Sequence, residues 1–97
     1  MLTGKQRSYL RSLANNLQPI FQVGKGGIND NMVKQFSDAL EARELIKATV
    51  LRNADCDTKI VCEEIAELTQ SQVVQVIGSK FVLYKTSEKN SVIELPR

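Results

Sequence analysis

The chain contains no histidine. Its absence removes the side chain most often used as a general base, and with it the usual Ser-His-Asp and Cys-His arrangements. Cysteine is scarce: Cys56 and Cys62 are the two thiols. That spacing, on or near a helix, points the sulfurs to different faces. It matches no zinc pattern, and there is no histidine to complete a site. The expectation is two reduced thiols in a cytosolic protein. Long hydrophobic runs are missing too, and none approaches the ~20 residues of a membrane span. The N-terminus does not read as a secretory signal, because Lys5, Arg7 and Arg11 interrupt any apolar segment. There is no internal repeat, low-complexity tract or linker. Nothing calls for a cofactor or a metal.

What is present fits one domain. The 97 residues are 42% hydrophobic and 25% charged, ordinary values for a soluble globular protein. The net charge is +2, unevenly spread. Residues 1–29 carry Lys5, Arg7, Arg11 and Lys25 and no acid. Residues 30–52 are balanced, and residues 53–97 are net acidic. A basic N-terminal third suits a polyanionic partner, although a solvated helix face would look the same.

Thr3-x-x-Gln6 has the form of a capping box and opens a helix. Tyr9, Leu10, Leu13, Ala14 and Leu17 form its apolar stripe, with Arg7 and Arg11 projecting together into solvent and Lys5 at the stripe's edge. Pro19 is expected to end this helix. Ile20–Val23 reads as a strand. Asn29 is a good N-cap for a second helix, with Ile28 and Val33 at staple positions and an inward stripe of Met32, Val33, Phe36, Ala39 and Leu40. Asp30 and Lys34 are placed to pair one turn apart. Glu44–Leu51 reads as a strand covered on both faces. Asn53–Asp55 is a turn. A third helix spans Thr58–Thr69, with Val61, Ile65 and Leu68 inward and Glu63, Glu64 and Glu67 outward. Gln72–Ile77 and Lys80–Lys85 form a hairpin about Gly78-Ser79, which suits a type II′ turn. The tail from Thr86 carries no assignment. It either docks as a short edge segment or frays.

The order αβαβαββ predicts an α/β fold: a four-stranded mixed sheet covered by helices, with right-handed crossovers and a closing antiparallel hairpin. Between the first strand and the second helix lies Val23-Gly24-Lys25-Gly26-Gly27-Ile28. Glycines permit φ > 0 and remove side chains that would keep a ligand off the main chain. A loop feeding a helix N-terminus presents N–H groups where the dipole favours negative charge, and Lys25 adds a cation. The reading is a cradle for phosphate, at the strand end where open α/β sheets usually bind ligands.

Several blocks carry a resemblance. Leu2-Thr3-Gly4-Lys5-Gln6-Arg7 with Leu10-Arg11, the glycine loop, Glu44-Leu45-Ile46-Lys47, Val74–Gly78 and Leu83-Tyr84-Lys85 resemble, in order, the motifs of the CRM domain (chloroplast RNA splicing and ribosome maturation) in its stand-alone bacterial, YhbY-like form. The similarity covers essentially the whole chain, residues 1–97. It implies a fold like the C-terminal domain of translation initiation factor three. It also implies a cytoplasmic, monomeric, non-enzymatic RNA-binding protein acting on ribosomal RNA in precursors of the large subunit. Carried onto this chain, the RNA-binding residues are Gly24, Lys25, Gly26 and Gly27, with Lys5, Arg7, Arg11, Lys34 and Lys47 as an adjacent basic surface beside that loop. Loop amides and Lys25 would clamp consecutive phosphates. Because Tyr9 and Phe36 are placed on core stripes, few of the five aromatic rings remain for base stacking. A KH-type single-stranded RNA module has a similar loop, but joins two helices with it. A nucleotide-binding enzyme would need a Walker pattern and a magnesium carboxylate pair, and a protein-interaction module would need no RNA.

Overall fold

A computed structural model describes residues 2–24, 26–51, 57–89, 91 and 93–96. Helix α1 (Gly4–Ala14) starts at the expected capping box: the Gln6 N–H donates to Thr3 Oγ1 at 3.1 Å, and the Thr3 N–H donates to Gln6 Oε1 at 3.0 Å. The helix stops at Asn15, well before Pro19. The stop is therefore not the proline. The last amides fold back in turn bonds, from Asn16 to the Leu13 carbonyl and from Leu17 to the Ala14 carbonyl.

Strand β1 (Phe21–Val23) leads through the glycine turn into α2 (Asp30–Arg43), β2 (Leu45–Val50), α3 (Thr58–Thr69), β3 (Gln72–Ile77) and β4 (Lys80–Tyr84). The sheet order is β1-β2-β4-β3. β1 and β2 are parallel, and β4 is antiparallel to both its neighbours. β1, β2 and β3 therefore point the same way and end on the same side of the domain. Gly78 turns the hairpin at φ +57, as the two-residue turn requires.

The helices occupy both faces. α2 and α3 cover one, burying Val23, Phe36, Leu40, Ile46, Ala48, Val50, Val61, Ile65, Phe81 and Leu83. Phe21, Phe36 and Phe81 stack through this layer, with ring centroids 4.5 and 6.2 Å apart. α1 covers the other face through Leu10 and Ala14, against Leu45, Val74, Val82 and Tyr84. Alternation along β2 sends Leu45 toward α1 and Ile46 toward α2, which accounts for its nearly unbroken apolar sequence.

Two stripe assignments are corrected. Tyr9 is 39% exposed and Leu68 is 54% exposed. Each lies on the flank of its helix, and the neighbouring Leu10 and Thr69 take the inward position instead. Lys34 pairs with Asp38 at 3.5 Å, not with Asp30. The tail docks. Ile93 and Leu95 pack onto the α1-side core, and Gln6 Nε2 donates to the Pro96 carbonyl at 3.1 Å. Among the described residues no helix is long and apolar enough to cross a membrane. The expected Asn53–Asp55 turn, Cys56 and Lys25 lie outside the described residues.

Candidate nucleic-acid interface

Val23 is fully buried, so β1 is anchored up to its last residue. The Leu51 N–H donates to the Val23 carbonyl at 2.9 Å and extends the parallel ladder to the edge of the loop. There the Gly27 N–H donates to the Gly24 carbonyl at 3.0 Å and closes a tight turn. Gly27 sits at φ +68, where a side chain is strained. The chain then enters Asn29, whose Oδ1 accepts from the Met32 N–H at 2.8 Å. The positive end of the α2 dipole is thus fixed beside the turn.

The turn is open. A Cβ added at Gly26 or Gly27 would meet no heavy atom within 4 Å, and one at Gly24 would make only an ordinary 3.6 Å contact with Leu51 Cδ1. Gly26 is exposed. The main chain at Gly26 and Gly27 is therefore not walled off by the described residues.

Among the described residues the expected adjacency is not seen for all the cations: they are distributed along the domain. The Leu2 N–H donates to Gln72 Oε1 at 2.8 Å, which ties the start of α1 to the beginning of β3. That is the opposite end of the sheet from the end of β1. Lys5 and Arg7, in the first turns of α1, thus start from the end of the sheet opposite the glycine turn, beside the far edge strand. Arg11 lies one turn further along α1, and its guanidinium donates to Ser8 Oγ at 3.0 Å. Lys34 is exposed in the second turn of α2, on the turn's own side of the molecule. Lys47 lies mid-strand in β2 on the α1 face, half-buried and opposite Val82. Sequence reasoning passed over Lys80. It begins β4 beside Thr49 and faces the same side as Lys47. The hairpin signal was legible, but the β2–β4 pairing that joins the two lysines leaves no local trace.

No group of three or more His, Cys, Asp or Glu residues able to hold a metal occurs among the described residues. Cys62 is a free, buried thiol. Burial, reinforced by neighbouring Glu63, pushes its pKa up to about 12, so it is not a nucleophile near neutral pH.

Residues 2–85 match the CRS1 / YhbY (CRM) domain family. The chain is 59% identical over 96 residues to the "Probable RNA-binding protein YqeI" of Bacillus subtilis, covering 99% of this chain and 100% of the relative. It is 37% identical over 97 residues to a Haemophilus influenzae protein named "RNA-binding protein", covering 99% and 96% of the two chains. The solution structure of SAV1595 from Staphylococcus aureus, described as a hypothetical protein and a candidate RNA binder, superposes with a TM-score of 0.82 at 60% identity, covering 99% of this chain and 100% of that one. On these matches the chain belongs to the CRS1 / YhbY (CRM) domain family.

Proposed function

We propose that this protein binds RNA through the Gly24–Gly27 turn and acts on ribosomal RNA in precursors of the large ribosomal subunit. The observation that carries the reading is the open turn: a Cβ added at Gly26 or Gly27 would meet no heavy atom within 4 Å, at the N-terminus of a fourteen-residue helix. Main-chain donors and a helix dipole favour phosphate there. The names of the relatives support RNA as the source of that phosphate. A strand, β1, precedes the turn, which argues against the helix–loop–helix setting of a KH module. The three phenylalanines are spent on the core stack, so the grip of the turn is mainly on the RNA backbone. The role in subunit assembly rests on the resemblance to the CRM family.

The test is RNA binding as a function of salt. With about four phosphates engaged, log affinity falls against log salt with a slope of about −3. Gly26→Asp places a negative charge in open space at no packing cost, so the variant folds and loses affinity for every RNA tried. A flat salt response, or undiminished binding by Gly26→Asp, removes the turn as the contact. Crosslinking in growing cells, followed by sequencing of the attached RNA, tests the ribosomal target.

A further inference from the structure

The α1 face of the sheet is only partly covered. α1 lies over Leu45, Val74, Val82 and Tyr84. Toward the end of the sheet that carries the glycine turn, a row of residues crosses all four strands at one level: Gln22 of β1 beside Thr49 of β2, Thr49 beside Lys80 of β4, and Lys80 beside Ile77 of β3. Phe21, Val23, Ala48, Val50 and Phe81 point to the α2–α3 layer, so this row points the other way. Gln22, Lys80 and Ile77 are exposed, and Ile77 is 62% so. The next row inward brings Lys47, Val82 and Gln75 side by side. The C-cap of α1, Asn15, walls this part of the sheet. Together Asn15, Lys47, Gln75, Ile77, Lys80 and Val82 line a cleft of about 180 Å³ with two lysines and no carboxylate.

Resting on the RNA-binding reading, we infer that this cleft holds one nucleotide of the same RNA strand and reads its base. The floor is apolar at Ile77 and Val82, which suits the flat face of a base. The amides of Asn15 and Gln75 each carry a donor and an acceptor for its edge. Lys47 and Lys80 neutralise the phosphates on either side. The row from Gln22 to Ile77 links the glycine turn to the cleft across about 14 Å, three inter-strand spacings. The turn grips the backbone, and the sheet supplies the selectivity that the turn lacks.

The experiment measures binding of equal-length A, C, G and U homopolymers to the whole protein and to Gln75→Ala, Lys80→Ala and Gly26→Asp. The wild-type protein ranks the four polymers. Gln75→Ala compresses that ranking, because the lost amide contributes only to the preferred base. Lys80→Ala lowers the salt slope by about 0.7, the contribution of one phosphate on a single strand. Gly26→Asp weakens all four polymers together and keeps their ranking. If the wild type binds RNA but Gln75→Ala keeps the full ranking and Lys80→Ala the full slope, the cleft is not a nucleotide site, while the turn stands. If the wild type binds none of the four, both readings fall. Each variant's thermal midpoint is recorded alongside, and all three positions are on the surface or half-exposed, so the fold is retained.

Discussion

Glu44 shows how much one residue can be asked to do. It caps α2 at φ +65, ψ −39, outside the ordinary regions for a side-chain-bearing residue, and it is fully buried. Its N–H donates to the Leu40 carbonyl and its own carbonyl accepts from Lys85. One carboxylate oxygen accepts from the Ser87 N–H at 2.8 Å and the other from the Ile93 N–H at 2.9 Å. Backbone strain of this kind persists where surrounding bonds over-determine it. Glu44→Gln keeps the shape but turns one acceptor into a donor facing a donor. We expect a loss of about 1–3 kcal/mol in urea unfolding, the cost of one buried amide left unpaired. Glu44→Gly relieves the backbone and should still destabilise, because both amides lose their partner. A stable Glu44→Gln variant would mean that the carboxylate is incidental.

At the scale of elements, the tail from Thr86 is held by the C-terminal end of α2. Glu41 accepts from the Glu88 N–H at 3.0 Å and from the Lys89 N–H at 3.2 Å. The Glu88 amide, followed by the Ser87 side chain and the Lys89 amide and charge, holds the Glu41 carboxyl below its ordinary value of 4.5 against the opposing cost of desolvation. A lowered native pKa stabilises the docked tail above the ordinary value, and that contribution is lost as pH falls through the lowered one. The Glu88 and Lys89 amide proton shifts should therefore titrate together with a midpoint below 4.5. Glu41→Gln should abolish that titration. Amide shifts that stay flat in the wild type at acid pH would contradict the contact.

For the whole molecule, the separation of the glycine turn from Lys5 and Arg7 sets a length requirement. An RNA that touches both must run along the domain. Lys5→Ala with Arg7→Ala should weaken a long RNA about tenfold or more at moderate salt, the counterion release of two phosphates. The same double variant should leave unchanged an oligonucleotide too short to leave the turn. Equal losses on the two ligands would place these cations at the turn after all, and no loss on either would remove them from the interface.

The local signals were legible where a few adjacent residues hold the cause. Thr3 and Gln6 face each other across one helical turn, Asn29 needs only Met32, and Gly78 needs only a tight reversal. The strand–helix order fixed which strands run parallel. Other features were illegible because their causes lie far apart in sequence. β4 inserts between β2 and β3, which puts Lys80 beside Thr49 on the same face as Lys47. Nothing near Thr86 announces that Glu41 and Glu44, more than forty residues earlier, will seat the tail. Tyr9 looked inward because helical spacing gives a stripe without its exact width, which depends on what α1 lies against.

By itself the sequence determined the elements, their order and a glycine turn at a helix start, because caps, turns and periodicity are short-range effects of backbone sterics and hydrogen bonding. Only the tertiary structure decided which charges share a surface. It left the turn open and set α1 across the far face of the sheet with its first turn at the other end from Gly24–Gly27, and so spread the described basic groups along the domain. Long-range strand pairing and the need to bury two apolar faces at once made that choice.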